Sequence, residues 1–275
     1  MLKLCTMKMR KRQFGIFLIL LLFISMGWSV LQEDWVAEKH KSYTFYYNNI
    51  DRQNKSEYVK FTDNGINAVK LFFDEPYKNK FDVYIYPDRE ALDKQWRLDW
   101  KMPGLKSECW MVASGIAGRF DVLSPKVWDK ESCEHHYADK LKTQQLFTHE
   151  LVHVFHGQLN LSPDFSDVDR IDWFVEGLAT FASGQCDEAR MADIKKAVSD
   201  NSIPEALDNF WTGKLKYGLA GSMVMYIDHQ YGRSKLKELL KFNKKSEILG
   251  SINITEADLL SGWKKYIQDY DLKEQ

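Results

Sequence analysis

Apolar and polar positions divide the chain into a strand-containing first half and a helix-dominated second half. The clearest alternation is Phe81-Asp82-Val83-Tyr84-Ile85-Tyr86, which predicts a strand. Phe45 to Asn48 predicts a first strand, and residues 108–124, interrupted at Ser114-Gly115 and Gly118, predict one or two more. Between these lie two helical patterns, Glu57 to Phe73 and a segment from Arg89 to Trp100 that Asp88 is placed to cap. Around residue 150 the pattern changes: Leu146, Phe147, Leu151, Val152, Val154 and Phe155 put apolar groups on most sides of one helix, which predicts burial all round. A second apolar helix follows from Trp173 to Phe181, after a loop over 157–171 that contains Pro163, Asp164, Ser166, Asp167 and Asp169. Helices are then predicted at 187–199, 204–211, 217–231, 233–243 and 255–270. The expected fold class is α+β, with a small mixed sheet, a buried central helix and a mostly helical C-terminal lobe.

The amino terminus has a different character. Lys3, Lys8, Arg10, Lys11 and Arg12 precede a charge-free, mostly apolar run from Phe14 to Leu31. This reads as an export signal, with residues 1–13 a basic cytoplasmic leader and 14–31 a signal peptide or membrane anchor. Its length suffices to span a bilayer, and an uncleaved anchor is favoured, although Gly27-Trp28-Ser29 is a tolerable small-x-small cleavage site. The remaining residues, 35–275, are expected to form one catalytic domain outside the cytoplasm, anchored to the cell membrane or secreted. With 275 residues, 44% of them hydrophobic, the chain can bury a sizeable core. The formal net charge of -1 hides the basic leader, beyond which 33 basic residues face 39 acidic ones. That balance gives no polyanion-binding surface, so no nucleic-acid partner is expected. Export would place Cys109, Cys133 and Cys186 where disulfides form; Cys109 and Cys133 could staple the segment leading to the central helix. Three is an odd number, so at least one thiol stays free or pairs between chains.

The central helix carries the chemistry. His149-Glu150-Leu151-Val152-His153 places two histidines four residues apart, one above the other on one helical face, where both imidazoles can reach one metal. Glu150 stands one step round the helix, positioned to take a proton from a water that the metal activates. Two histidines and a glutamate in a buried helix require partners, and a zinc ion supplies one. A catalytic zinc takes three protein ligands and leaves one position open. Trp173-Phe174-Val175-Glu176-Gly177-Leu178-Ala179 offers the third, an acid flanked by two small residues that permit close helix packing.

These two segments together resemble the gluzincin zinc metallopeptidases, specifically the peptidase MA-like group. The resemblance covers residues 143–183 and extends more weakly to about 245. It implies a zincin-like fold, one Zn2+ held by His149, His153 and Glu176, and Glu150 as general base. Substrates would then be peptides or proteins. The interval from His153 to Glu176 is longer than in the best-known members, so loop 157–171 is expected to bulge. Many members carry an acid one turn after the glutamate ligand to orient the first histidine; here that position is Thr180, so the hydroxyl or another group would take the role. By the same resemblance, residues 110–124 would be the sheet edge lining the cleft, where a substrate can add as a strand. Aminopeptidases of the group have an acidic motif near this edge, whereas this chain reads Gly115-Ile116-Ala117-Gly118-Arg119, which favours an endopeptidase. Small residues at 218, 220, 221 and 222 would bring a downstream helix under the site. Tyr217 on that helix is the candidate oxyanion donor, ahead of Tyr226, His229 and Tyr231. His40, His135, His136 and His156 have no ligand-like spacing and are read as loop or surface histidines. Alternatives to the peptidase are a zinc hydrolase of a non-peptide amide and a non-catalytic exported domain with a vestigial zinc site.

Overall fold

In a computed structural model, which describes residues 35–272, five strands form one mixed sheet ordered β1-β2-β3-β5-β4. They are β1 (Val36–Lys39), β2 (Tyr43–Tyr47), β3 (Phe81–Tyr86), β4 (Ala113–Ile116) and β5 (Arg119–Leu123). The central pairs β2–β3 and β3–β5 are parallel, and β1–β2 and β4–β5 are antiparallel. Each parallel link needs a long crossover. The first contains α1 (Lys55–Phe73) and the second α2 (Arg89–Asp99), whose N-cap Asp88 accepts the Ala91 N–H at 2.9 Å. Alternation decides which side of the sheet faces the core: Phe45, Val83, Ile85, Phe120 and Val122 are fully buried, while Tyr46 and Tyr84 stack on the other face with ring centroids 4.3 Å apart.

After β5 a short helix, α3 (Trp128–Glu131), leads to α4 (Lys140–Leu159), the predicted central helix. It packs against α1, β4 and α5 (Asp172–Ala182). The remainder is helical: α6 (Glu188–Ser199), α7 (Lys216–Tyr231), α8 (Arg233–Leu239), α9 (Lys245–Ser251) and α10 (Glu256–Asp269). The fold is therefore α+β, with a small mixed sheet and a mostly helical remainder. A Cys109–Cys133 disulfide joins the segment before β4 to the one before α4, and Cys186 is buried outside that bridge.

Several boundaries differ from those expected. The predicted helix over 204–211 is only a single 3-10 turn, Leu207–Asn209, because Pro204 starts the segment and Ala206 is extended. The Leu207 N–H is satisfied by Glu256 Oε1 at 2.8 Å instead of by a preceding turn. The helix predicted at 233–243 stops at Leu239, and α9 follows as a separate element. The edge expected over 110–124 is β4 alone; β5 lies inside the sheet. The loop predicted from 157 begins at 160, since α4 continues through Gln158, whose side-chain amide donates to the Ala117 and Asn79 carbonyls. The segments expected to be a basic leader (1–13) and a signal peptide or membrane anchor (14–31) lie outside the described residues. Among the described residues no helix is long and apolar enough to cross a membrane.

Candidate metal centre

The site is built from α4 upward. Asp139 starts the helix by accepting the Lys142 N–H at 3.0 Å, and every residue from Phe147 to Gly157 is buried. His149, Glu150 and His153 are each less than 10% exposed. Across from them, α5 presents Glu176. Its position follows from the next residue: a Cβ at Gly177 would lie 2.3 Å from the Ala220 carbonyl oxygen, so only glycine lets α5 sit directly on the α7 backbone. Gly221 does the same from the α7 side, where a Cβ would meet Thr180 Cγ2 of α5 at 2.9 Å.

The structure brings the three predicted ligands together. Glu176 Oε2 lies 3.4 Å from His149 Nε2 and 3.6 Å from His153 Nε2, and the two Nε2 atoms are 3.1 Å apart. Tetrahedral zinc with bonds of about 2.0–2.1 Å needs donor atoms roughly 3.3–3.5 Å apart. Two imidazoles and a carboxylate at these separations fit such an ion, and the group is one that could hold a metal. Glu150 is beside this cluster rather than in it.

Electrostatics separate the two carboxylates. Burial raises the Glu150 carboxyl and Glu176 adds to the rise, while His149, His153 and the Gly115 backbone N–H act the other way. Burial also disfavours the charge on Glu176, but His153 and His149 beside it overcome this and hold its carboxyl well below the usual range. For His153, burial acts downward and the Glu176 charge outweighs it, so the imidazole is raised. One acid is thus held ionised among the nitrogens, and its neighbour is a better proton acceptor than an ordinary glutamate.

Tyr217 opens α7 with its ring centroid 6.3 Å from that of His149. Burial raises its hydroxyl pKa, and Glu176 and Glu150 raise it further, so the group remains a proton donor. The other candidates lie further along the same helix: Tyr226 and His229 pack on Tyr266, at 5.5 and 4.9 Å between centroids. Thr180 is buried, but its hydroxyl finds no protein partner among the described residues, nor does His149 Nδ1. The orienting bond left open for that hydroxyl is not made here.

Among solved structures, the chain is similar to leukotriene A4 hydrolase of yeast. One structure of that enzyme in complex with bestatin gives a TM-score of 0.47 at 10% identity. A native structure, from Saccharomyces cerevisiae, gives 0.46 at 11%. Each match covers 86% of this chain and 38% of the other, so this chain spans well under half the length of the proteins it matches. No family model matches the chain, and no curated protein matches it in sequence. The likeness concerns a distant arrangement of elements, and the site rests on its own geometry.

Three residues acquire roles that spacing did not reveal. His156, expected in a loop or at the surface, is fully buried on α4, with Phe165 and Phe174 against its ring at 5.0 and 5.8 Å. It lies one turn beyond His153 on a helix buried on all sides, so no surface face exists for it. Asn160, which reads as a glycosylation sequon, is buried and donates its amide to the Leu240 and Phe242 carbonyls, both at 2.8 Å. It pins the 160–171 loop to the C-terminal lobe. Arg89 holds the disulfide-linked segments in place, donating from Nε to the Glu131 carbonyl (3.0 Å) and from its two Nη atoms to Ser107 Oγ and the Cys109 and Met111 carbonyls (2.6, 3.2 and 2.8 Å). No sequence period marks such a clamp, because its partners are mainly backbone carbonyls.

Proposed function

We propose that this chain is an exported zinc-dependent peptidase of zincin-like fold, cleaving internal peptide bonds in preference to removing single amino-terminal residues. The observation that carries the reading is the convergence of His149, His153 and Glu176 at 3.1–3.6 Å beside the buried carboxylate of Glu150. A zinc ion held by those three would supply Lewis acidity toward a carbonyl oxygen and a water. Glu150 takes the proton of the attacking water and returns it to the departing amine, a task suited to a carboxyl raised by burial. Tyr217, kept protonated, donates its hydroxyl to the oxyanion that develops beside His149.

Strand β4 supports a peptide as substrate. It is a sheet edge lying against α4 at Glu150, so an extended chain that pairs with it would bring its carbonyls to the site. The absence of an acid from Gly115 to Arg119 supports an endopeptidase, since nothing on that stretch would hold a free amine. The Cys109–Cys133 bridge supports an oxidising location outside the cytoplasm, with residues 14–31 as membrane anchor.

Metal analysis of purified protein and a peptide-library digest of wild type and Glu150→Gln test the proposal. One zinc per chain is expected in both, with hydrolysis by the wild type alone. Normal turnover by Glu150→Gln would refute the assignment of the base.

A further inference from the structure

On the Tyr217 side of the centre, two cations stand without carboxylate partners. Lys216 extends its ammonium among three aromatic rings, 4.2 Å from the centroid of Trp110, 4.7 Å from Trp211 and 5.2 Å from Tyr217. The guanidinium of Arg190, on α6, lies 5.5 Å from the Tyr217 ring and is tethered by one 2.6 Å bond from Nη1 to the Gln185 carbonyl. Among the described residues neither side chain forms an ion pair, although acids outnumber bases beyond the leader. The charge of Glu134, in the disulfide-linked segment, also acts on Tyr217, and Asp187 uses its carboxylate to cap α6 by accepting the Arg190 N–H.

Ring faces attract an ammonium without consuming its N–H donors, so Lys216 is held in place and still able to bind an anion. The ring wall is itself fixed. Trp110 follows Cys109 of the disulfide, and Arg89 holds the carbonyls of Cys109 and Met111 on either side of it. A charge on so constrained a side chain loses little freedom when it takes a ligand. From the ring distances, the ammonium is within the reach of about three extended residues of His149.

We propose that Lys216 and Arg190 form a carboxylate-selecting subsite walled by Trp110 and Trp211. Preferred substrates carry a carboxylate, from an acidic side chain or a free C-terminus, within about three residues of the cleaved bond. The proposal rests on the peptidase reading for the word substrate, but its binding chemistry is separable from hydrolysis.

The test uses acetylated peptides that differ only by Asp or Asn at one scanned position, and by a free or amidated C-terminus. Hydrolysis is measured with the zinc-loaded wild type, Lys216→Gln and Arg190→Gln. Binding of the fluorescein-labelled peptides is measured by anisotropy on Glu150→Gln protein, with and without Lys216→Gln. The wild type is expected to favour the carboxylate-bearing member of a pair by about tenfold or more, the scale of one charge-assisted contact, and Lys216→Gln to bring that ratio close to one. The Asp and C-terminus arms show which carboxylate is taken. If Lys216→Gln does not fold, the ratio in Arg190→Gln, expected to fall in the same direction, decides instead. Equal handling of charged and neutral pairs by the wild type would overturn the subsite and leave the peptidase standing. Charge-selective binding that depends on Lys216, with no hydrolysis of any peptide, would uphold the subsite and overturn the peptidase. Neither hydrolysis nor selective binding would overturn both.

Discussion

Gly115 on the edge strand approaches Glu150 on α4 so closely that a Cβ at 115 would stand 2.2 Å from the Glu150 carbonyl oxygen and 3.0 Å from His153 Cβ. The contact is with helix backbone, which cannot rotate away, so the strand and the proposed base are placed by the same missing methyl group. Gly115→Ala should therefore push β4 away from α4. Overpacking of this kind costs about 1–3 kcal/mol. In a protein of this size each kcal/mol lowers the melting temperature by about 2–4 °C. Calorimetry should record that loss, and turnover should fall with it because the base moves. A variant that melts with the wild type would show that the strand has slack.

Glu176 is the one proposed ligand outside α4. Replacing it by alanine should lower zinc affinity by more than the roughly 10–100-fold caused by losing a hydrogen bond to a ligand. Circular dichroism should stay unchanged, since Gly177, not Glu176, sets the contact of α5 with α7. Competition with a chromophoric chelator gives the affinity and mass spectrometry the stoichiometry. Wild-type values for both would remove Glu176 from the ligand set.

Tyr217→Phe separates a donor from a wall of the cleft. The ring keeps its contacts with His149 and Trp211 and only the hydroxyl is lost. If the hydroxyl serves the oxyanion, kcat should fall by about 10²–10³ with little change in KM or zinc content. A rise in KM alone would assign Tyr217 to substrate binding.

Much of this arrangement is legible in the sequence. The motif helix stands out because apolar residues surround its three polar ones, a pattern that a solvated helix does not show. Glu176 stands out because Gly177 and Ala179 leave room beside it. Elements with little periodic signal are harder to read. Strand β1 (Val36–Lys39) has only four residues, half-buried or exposed, and exists through its ladder with β2. Gly115 appears in the sequence as a break between strands and a place where an acid is lacking; its closeness to Glu150 arises from packing between elements 35 residues apart. The Lys216 cage has the same origin in part, since Trp110 comes from a segment far from Trp211 and Tyr217 in the chain. His156 misleads because spacing to a metal is a poor guide to burial.

That histidine also makes a pH prediction. Burial drives its imidazole down to about 3, with His153 adding to the fall and the Leu240 backbone contact opposing it. In the unfolded chain a histidine titrates near 6.5, so between about 6.5 and 3 the unfolded state holds a proton that the folded state does not. The stabilising contribution is complete above about pH 6.5 and is lost as pH falls toward 3, at about 1.4 kcal/mol for each pH unit. Urea midpoints at pH 7.5, 6.0 and 5.0 should decline accordingly for the wild type. His156→Gln has no proton to gain in this range, so its decline should be shallower by about one proton's worth of slope. Parallel declines in the two proteins would mean that His156 is already charged in the folded state, contradicting its enclosure by Phe165 and Phe174.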